Sequence, residues 1–322
     1  MIAQILHSVG QSPILSHTSK PVPKAGESLV RLIAAAVNRR DLYIQQDLYP
    51  GLKLPCVLGS DGVGEHDGKR VVLLPGLRWG SDERVQSAQY EVLGMPSQGT
   101  FAEYIAIPAE NLFACPKHLS DAEAAALPLA GLTAFRALMT RGAARSKETV
   151  VVTGAGGGVA SLAIQFAVAQ GMQVYVTSSS PEKIKLAQTL GAKGGVNYQD
   201  PNFVKALKAL TGGIDVVVDG AGGAGLAQLT KAMNPAGRIA FYGGTTGKIP
   251  NLSPQLLFWR QLTLAGSTMG SPREFAAMLR LVEQHNIKPV VDSVRPLAEL
   301  PAALDRMAAG KQQGKLVLSI AP

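Results

Sequence analysis

The chain has 322 residues, 46% of them hydrophobic and 17% charged, with a net charge of +8. That length points to two domains sharing an interface, and no apolar run approaches the ~20 residues needed to cross a bilayer. The basic residues are scattered, with no basic run interleaved with aromatics as in single-strand binders, which argues against nucleic acid as a partner. Met1 to Ser12 shows no export or organelle signal, and two cysteines, Cys56 and Cys115, make no disulfide framework. A cytoplasmic location is expected.

To about Pro116 the chain is rich in Val, Gly and Pro. Its short alternating segments, Ser28 to Val37, Val71 to Leu74 and Ala102 to Ile107, predict strands and loops. Ser120 is a natural N-cap for a helix over Asp121 to Ala126, and Leu132 to Met139 predicts a second helical stretch. From Thr149 onward strands alternate with helices, the pattern of an α/β fold with a doubly wound parallel sheet. Strands are predicted at Thr149 to Thr153, Gln173 to Thr177, Gly195 to Asn197, Asp215 to Asp219, Arg238 to Tyr242 and Leu262 to Ser267. Pro181 to Leu190 has proline in its first turn and stops at Gly191, and Pro201 to Leu210 repeats that design. A helix from Pro272 to about Gln284 leads into a tail whose apolar end, Leu316 to Ile320, is expected to return to the first domain. The predicted divisions are therefore 1–122, 123–267 and 268–322.

The stretch Thr149 to Ala160, Thr-Val-Val-Val-Thr-Gly-Ala-Gly-Gly-Gly-Val-Ala, is a β-branched run that breaks into glycines before a helix. In that context it reads as a phosphate-binding turn, with Ala155, Gly156, Gly157, Gly158 and Val159 as the cradle of a dinucleotide. The strict G-x-G-x-x-G pattern falls on Ala155, Gly157 and Ala160. Alanine is accepted at the last position and is a departure at the first. The plainer alternative is a glycine-rich turn that only closes a strand onto a helix.

An acidic residue at the end of the second strand would bind the 2′-hydroxyl of NAD. Here Ser178 holds that position, followed by Ser179, with Lys183 one turn into the next helix. Hydroxyl donors and a lysine suit a 2′-phosphate, so NADP is the expected cofactor. Helix capping by the serines is the competing explanation.

The whole chain resembles the medium-chain dehydrogenase/reductase superfamily, in particular its zinc-independent quinone oxidoreductase-like branch. The matching segments are Ala36 to Ile44, Leu58-Gly-Ser-Asp-Gly-Val-Gly64, Gly99 to Tyr104, Ala130 to Ala134, the Gly154 to Ala160 turn, Asp215 to Asp219 and Gly314-Lys-Leu-Val-Leu318. The resemblance implies a GroES-like, mostly-β catalytic domain in two segments, an inserted Rossmann NAD(P)-binding domain and a cofactor cleft between them.

Where zinc-dependent alcohol dehydrogenases carry cysteine, then histidine and glutamate, then a second cysteine, this sequence has Asn38, Ser60 followed by Asp61, and Ala130. Asparagine, serine and alanine do not hold catalytic zinc. Pro75 to Tyr104 contains none of the four cysteines of the structural zinc lobe. The five histidines, His7, His17, His66, His118 and His285, are separated, without the spacing of a ligand set. His66 and Asp67 read as a polar turn, and no metal is expected.

The same resemblance assigns the remaining candidates. Asn38, Tyr43 and Tyr49 stand where similar quinone reductases line the cleft, as donors to an oxygen that gains charge and as flat surfaces for a planar substrate. Thr133 matches a cleft-facing threonine in contact with cofactor, and Tyr198 a tyrosine near the adenosine phosphate. Gly243, Gly244 and Thr245 are expected at the nicotinamide ribose, Thr268 and Met269 at the nicotinamide amide. Lys315 is expected as a further cation near the cleft, with an exposed turn lysine as the alternative.

The implied activity is NADPH-dependent reduction of quinones or α,β-unsaturated carbonyls by hydride transfer without zinc. The alternatives are a zinc-less alcohol dehydrogenase or carbonyl reductase, and a non-catalytic NADPH-binding member of the superfamily. Leu262 to Ser267 resembles the edge strand through which such proteins pair across a two-fold axis, so a homodimer is expected.

Overall fold

A computed structural model describes residues 1–320. The chain divides into two compact units, one formed by Met1–Ala130 together with the chain from Gly270 on, the other by Gly131–Met269. The divisions lie at 130/131 and 269/270, where the sequence suggests 122/123 and 267/268. The first of these moves because the helix Asp121–Ala125 packs on strands Glu27–Ala36 and Asp61–His66 of the split unit. Ser120 starts that helix, its hydroxyl accepting from the Glu123 N–H while the Glu123 carboxylate accepts from the Ser120 N–H.

The split unit is mostly β. Its main sheet runs Leu112–Ala114, Lys69–Leu73, Asp61–His66, Glu27–Ala36, Lys315–Ser319, Val291–Pro296, with Tyr104–Pro108 also paired to Glu27–Ala36. The tail strand Lys315–Ser319 lies antiparallel to Glu27–Ala36, with Val317 opposite Ala36, and parallel to Val291–Pro296. Its entry turns at Gly314, whose φ of +92° and contact with the Val290 carbonyl exclude a side chain. Asp61 pairs with the same Ala36 from the other side. Position 36 is thus flanked by the starts of two strands far apart in the chain, which sets what lies beyond its end. Asp67 and Gly68, at φ +49° and +70°, form the turn between Asp61–His66 and Lys69–Leu73.

The continuous unit carries a six-stranded parallel sheet in the order Gly194–Asn197, Gln173–Ser178, Thr149–Thr153, Ile214–Asp219, Met233–Phe241, Thr263–Gly266. Numbered along the chain this is 3-2-1-4-5-6, the dinucleotide-binding order, with its switch point between Thr149–Thr153 and Ile214–Asp219. Strand Thr149–Thr153 is buried throughout because both faces are covered, which explains a run of β-branched residues without alternation. The predicted stretch Leu132 to Met139 divides into an α-helix, Pro128–Phe135, that loosens into a π-helix, Arg136–Arg141. Among the described residues no helix is long and apolar enough to cross a membrane.

Close backbone packing around position 59 yields a stability test. Gly94 has φ +91°, and a Cβ there would lie 2.7 Å from the Gly59 carbonyl oxygen and 2.8 Å from its nitrogen. Gly94→Ala is expected to cost about 2–4 kcal/mol, from positive φ and overpacking together. Gly51→Ala, at φ +70° with open space around it, should cost only about 1 kcal/mol. Urea denaturation midpoints of the two variants check the ordering.

Candidate active site

Three strand ends of the split unit converge beyond Ala36. Asn38 ends the loop after Glu27–Ala36, Asp61 opens its strand, and Lys315 opens the tail strand, fixed by the Val37 N–H donating to the Leu316 carbonyl at 2.9 Å. Their side chains form one buried network. The Lys315 Nζ donates to Asn38 Oδ1 at 2.5 Å and to Asp61 Oδ2 at 2.8 Å, and the Asn38 Nδ2 donates to the same Asp61 oxygen at 2.8 Å. The other Asp61 oxygen accepts the Leu129 N–H at 2.6 Å. Side-chain exposure is 5% for Lys315 and 0% for Asp61, so this is an ion pair removed from solvent.

The N-terminus of helix Arg39–Gln45 completes the surroundings. Asp41 Oδ2 accepts the Asn38 N–H at 2.8 Å and its Oδ1 accepts the Gly59 N–H at 3.2 Å. Arg40 donates to the Ser60 hydroxyl and the Leu93 carbonyl through Nη1, and to the Met95 carbonyl through Nη2. Its guanidinium lies 5.2 Å from the ring centre of Tyr49, a cation–π contact. Tyr49 also packs against the core of Leu6, Leu42, Ile44 and Leu58, and Tyr43 is half-buried on the same helix as Arg40.

This geometry revises two expectations. The second Asn38 amide hydrogen faces the Ala36 carbonyl, at a longer 3.4 Å. Both donors of Asn38 therefore go to oxygens of its own unit, and the free donor expected there is absent. Lys315 is no exposed turn lysine; its ammonium is held by Asn38 and Asp61 inside the split unit. The sequence alone assigns Asp41 and Asp61 no role, although both stand in matched segments.

In the continuous unit the glycine turn has the shape that its residues require. Gly154 takes φ +69°, and its N–H and that of Ala155 both donate to the Thr177 carbonyl. Ala155 is fully buried and does not adopt positive φ, so its methyl group is accommodated and the departure at this position costs nothing. The helix Gly158–Ala169 begins with Gly157 as N-cap, and its first-turn N–H groups, those of Gly158 and Val159 among them, have no intrahelical acceptors. A Cβ at Gly156 would strike the methylene stem of Lys183, so that stem lies across the turn. Backbone donors, a helix N-terminus and an adjacent lysine are a donor set that fits the phosphates of a dinucleotide.

The Ser178 hydroxyl accepts the Ser180 N–H at 3.2 Å, and Ser180 caps helix Pro181–Thr189 through the Lys183 N–H. Capping is therefore part of the serines' work, while Ser179 is exposed. Tyr198 follows Asn197, the register partner of Ser178, and is 44% exposed. Gly243 and Gly244 form an exposed turn that approaches the backbone of Gly220 and Gly222; the Thr245 hydroxyl donates to the Gly220 carbonyl at 3.4 Å. The buried Asp219, also without a role assigned from the sequence, accepts from the Thr153 hydroxyl and the Gly222 N–H, both at 2.7 Å, and ties the two strands at the switch point. Burial raises its carboxyl above the usual range. The Thr133 hydroxyl points to the sulfur of Met269 at 3.8 Å. Met269 holds φ +44°, Thr268 before it is exposed, and strained backbone of this kind clusters at functional sites.

Two family models match the chain, the alcohol dehydrogenase GroES-like domain over residues 24–117 and zinc-binding dehydrogenase over residues 158–284. The chain is 36% identical to the zinc-type alcohol dehydrogenase-like protein YogA of Leptosphaeria maculans, covering 95% of this chain and 94% of that one. A crystal structure of an NAD-dependent alcohol dehydrogenase superposes with TM-score 0.95 at 36% identity over the full length of both chains. The quinone oxidoreductase of Thermus thermophilus, solved also in complex with NADPH, gives TM-score 0.84 at 28% identity, covering 99% of this chain and 100% of that one.

The zinc of the second family description does not fit the side chains here. Of Asn38, Ser60, Asp61 and Ala130, only Asp61 offers a charged oxygen. Both of its oxygens are already engaged, one of them by an ammonium. Among the described residues no group of three or more His, Cys, Asp or Glu side chains is arranged to hold a metal ion.

The buried Asp41 supplies a pH test. Burial pushes its carboxyl up to about 6 from an ordinary 3.8, against the downward pull of Arg40, the Asn38 N–H and Lys315 and with a further upward push from Asp61. A carboxyl with a raised folded pKa binds its proton more tightly in the folded state. Its contribution therefore favours folding at low pH and is lost as pH rises from the unfolded value through about 6. The stability of the wild type minus that of Asp41→Asn should fall by on the order of 3 kcal/mol across that window and stay flat above it. Urea unfolding at stepped pH measures this difference.

Proposed function

Because the chain belongs to the medium-chain dehydrogenase/reductase superfamily, we propose that it is a zinc-independent, NADPH-dependent reductase of quinones or α,β-unsaturated carbonyls. The observation that carries this reading is that Asn38 and Asp61, at two of the positions where the resemblance puts the ligands of metal-dependent relatives, are bonded to each other and to the Lys315 ammonium. With no ligand set to lower the pKa of an alcohol, oxidation of an unactivated alcohol has no support. Reduction of an acceptor activated by conjugation needs only hydrogen-bond donors where negative charge develops.

A bound dihydronicotinamide supplies the hydride and its electron pair. The chain's own residues do the rest. The backbone N–H groups of Gly156, Gly158 and Val159 hold phosphate, Ala155 and Gly157 shape the turn with their own N–H groups bonded to the Thr177 and Gly154 carbonyls, and Lys183, lying across the turn, supplies positive charge beside it. Ser178, Ser179 and Tyr198 stand at the strand ends that would face the adenosine ribose. The turn of Gly243, Gly244 and Thr245 and the segment Thr268–Met269, with Thr133 against Met269, offer backbone groups for the nicotinamide half. Tyr43 and Tyr49 present flat phenol-bearing surfaces to a planar acceptor, and Arg40 holds Tyr49 by its cation–π contact.

A second reading, an NAD-linked alcohol dehydrogenase or carbonyl reductase, is favoured by the description of the 36% identical structure. Glu182 also favours it, its carboxylate accepting the Ser180 hydroxyl at 2.6 Å beside the expected ribose position. A non-catalytic nucleotide-binding role is the third. The measurement that separates them is oxidation of NADPH and NADH by a panel of quinones, enones and aldehydes. NADPH consumption with a quinone or enone is expected, with about a tenfold loss of NADPH preference in Lys183→Ala, the scale of one charge-assisted contact. Stoichiometric tightly bound zinc in the purified protein, or no NADPH consumption with any acceptor, removes the reading.

We also propose a cytoplasmic homodimer. Among the described residues strand Thr263–Gly266 is paired on one side only, by Met233–Phe241, and the preceding helix Pro254–Trp259 ends with Phe258 65% and Trp259 83% exposed. Exposed aromatics of that size beside an open sheet edge suit a second copy paired edge to edge. Sedimentation should give a dimer at micromolar concentration and a monomer for Trp259→Asp. A wild type that sediments as a monomer eliminates the proposal.

A further inference from the structure

We infer that the Lys315 ammonium is the hydrogen-bond donor to the acceptor oxygen in this site, standing where metal-dependent relatives hold their Lewis acid; this rests on the reductase reading above. Four observations lead there. The positions of the three absent metal ligands come together in this chain, because Asn38 bonds Asp61 and Asp61 bonds the Leu129 N–H next to Ala130. The group joined to Asn38 and Asp61 at that point is the Lys315 Nζ, through Oδ1 and Oδ2 respectively. An ammonium has three hydrogens, and these two bonds use two of them. Asn38, the donor expected from the sequence, has both amide hydrogens turned to Asp61 and Ala36, so it orients the lysine instead of meeting the substrate.

A catalytic zinc keeps its fourth position open for a substrate oxygen. The ammonium's third N–H is the counterpart of that position here, with one difference of consequence. Paired with Asp61, Lys315 carries no net charge to the site in the resting state. Its interaction strengthens as hydride bonds to the acceptor carbon and the acceptor's π-electron pair moves onto oxygen in the same step; the proton that completes reduction comes from solvent. A donor that strengthens with the developing charge lowers the barrier, and does not merely tighten ground-state binding. The acceptors selected are those whose oxygen becomes a phenolate or enolate, namely quinones and enones.

The test compares two forms in which the buried charges stay balanced, so that no unpaired charge is left inside. These are the wild type, which keeps the ammonium paired with Asp61, and Asp61→Asn with Lys315→Met, which removes both charges. The first probe is 4-nitrophenol added to the NADP+ complex, titrated by the absorbance of its phenolate. The second is turnover of NADPH with a quinone. Relative to the wild type, the double variant should bind phenolate roughly 100-fold more weakly and lose roughly 100-fold in kcat, the scale of one oxyanion donor. Its KM for NADPH should change less than about twofold, because the nucleotide's phosphates are held by the glycine turn and not by Lys315. Equal phenolate affinity and equal kcat in the wild type and the double variant overturn the inference, as does a wild type that binds no phenolate. If the wild type oxidises NADPH with no quinone or enone while phenolate binding still falls with Lys315→Met, the reductase reading fails and the role of Lys315 as oxyanion donor stands.

Discussion

The buried pairing of Lys315 with Asp61 is the constraint around which the split unit is built. Two charges removed from water are tolerated only when they compensate each other and fill their remaining hydrogen bonds. Here Asp61 is saturated by an ammonium, an amide and a backbone N–H. The partners are 254 residues apart in the chain, so the pair exists only when the tail strand has docked. That docking is specific in register: Val317 opposite Ala36 puts Lys315 at the buried end. A slip by one residue would turn its side chain to the other face of the sheet and bury a leucine against Asp61. Gly314, which alone can turn beside the Val290 carbonyl, fixes where the strand begins.

The continuous unit solves a different problem, that of presenting backbone donors. Its strands end together on one side, and each following loop is held close by short contacts instead of side-chain bulk. Asp219 draws the Gly220–Gly222 segment to Thr153, and the Gly243–Gly244 turn packs directly on that segment. The result is a set of closely packed loops at the carboxyl ends of the strands, where ligands of doubly wound sheets bind. Rigidity at the switch point comes from a buried carboxylate; on the reading proposed above, selectivity at the adenosine end is left to Ser178, Ser179, Lys183 and Tyr198.

The sequence is most legible where local chemistry suffices. Periodicity locates the parallel strands closely, and Ser120, Pro181, Gly191 and Pro272 mark helix ends because caps and stops depend on neighbours within a few residues. The glycine turn is legible too, and the doubt raised by Ala155 dissolves once φ is known: Gly154 takes the left-handed conformation and Ala155 does not. Lys315 misleads for the opposite reason. Its motif marks a strand start, but whether such a lysine is exposed depends on Asn38 and Asp61, which no local pattern links to it. Asn38 reads as a free donor for the same cause, since its amide is spent on partners that only the assembled sheet supplies. The Leu132 to Met139 helix is visible in the sequence, but not its widening into a π-helix at Arg136, which no local pattern in the sequence marks.

Charge balance joins these observations to the chemistry. Asp61 is matched by Lys315 and Asp41 by Arg40 nearby, so the interior of the site is close to neutral while the chain as a whole carries +8. A preorganised polar site without net charge exerts no long-range pull on a substrate that arrives as an anion. It offers more to an uncharged acceptor that becomes negative during reaction, since each donor then strengthens without having been drawn to the ground state. A metal dication with neutral and thiolate ligands favours the reverse task, stabilising an alkoxide before hydride departs. On the reading proposed above, exchanging that ligand set for asparagine, aspartate and a paired lysine changes more than the identity of the electrophile. It moves the point of greatest stabilisation from the bound alcohol to the oxygen produced by hydride addition, and so favours reduction of conjugated carbonyls over oxidation of alcohols.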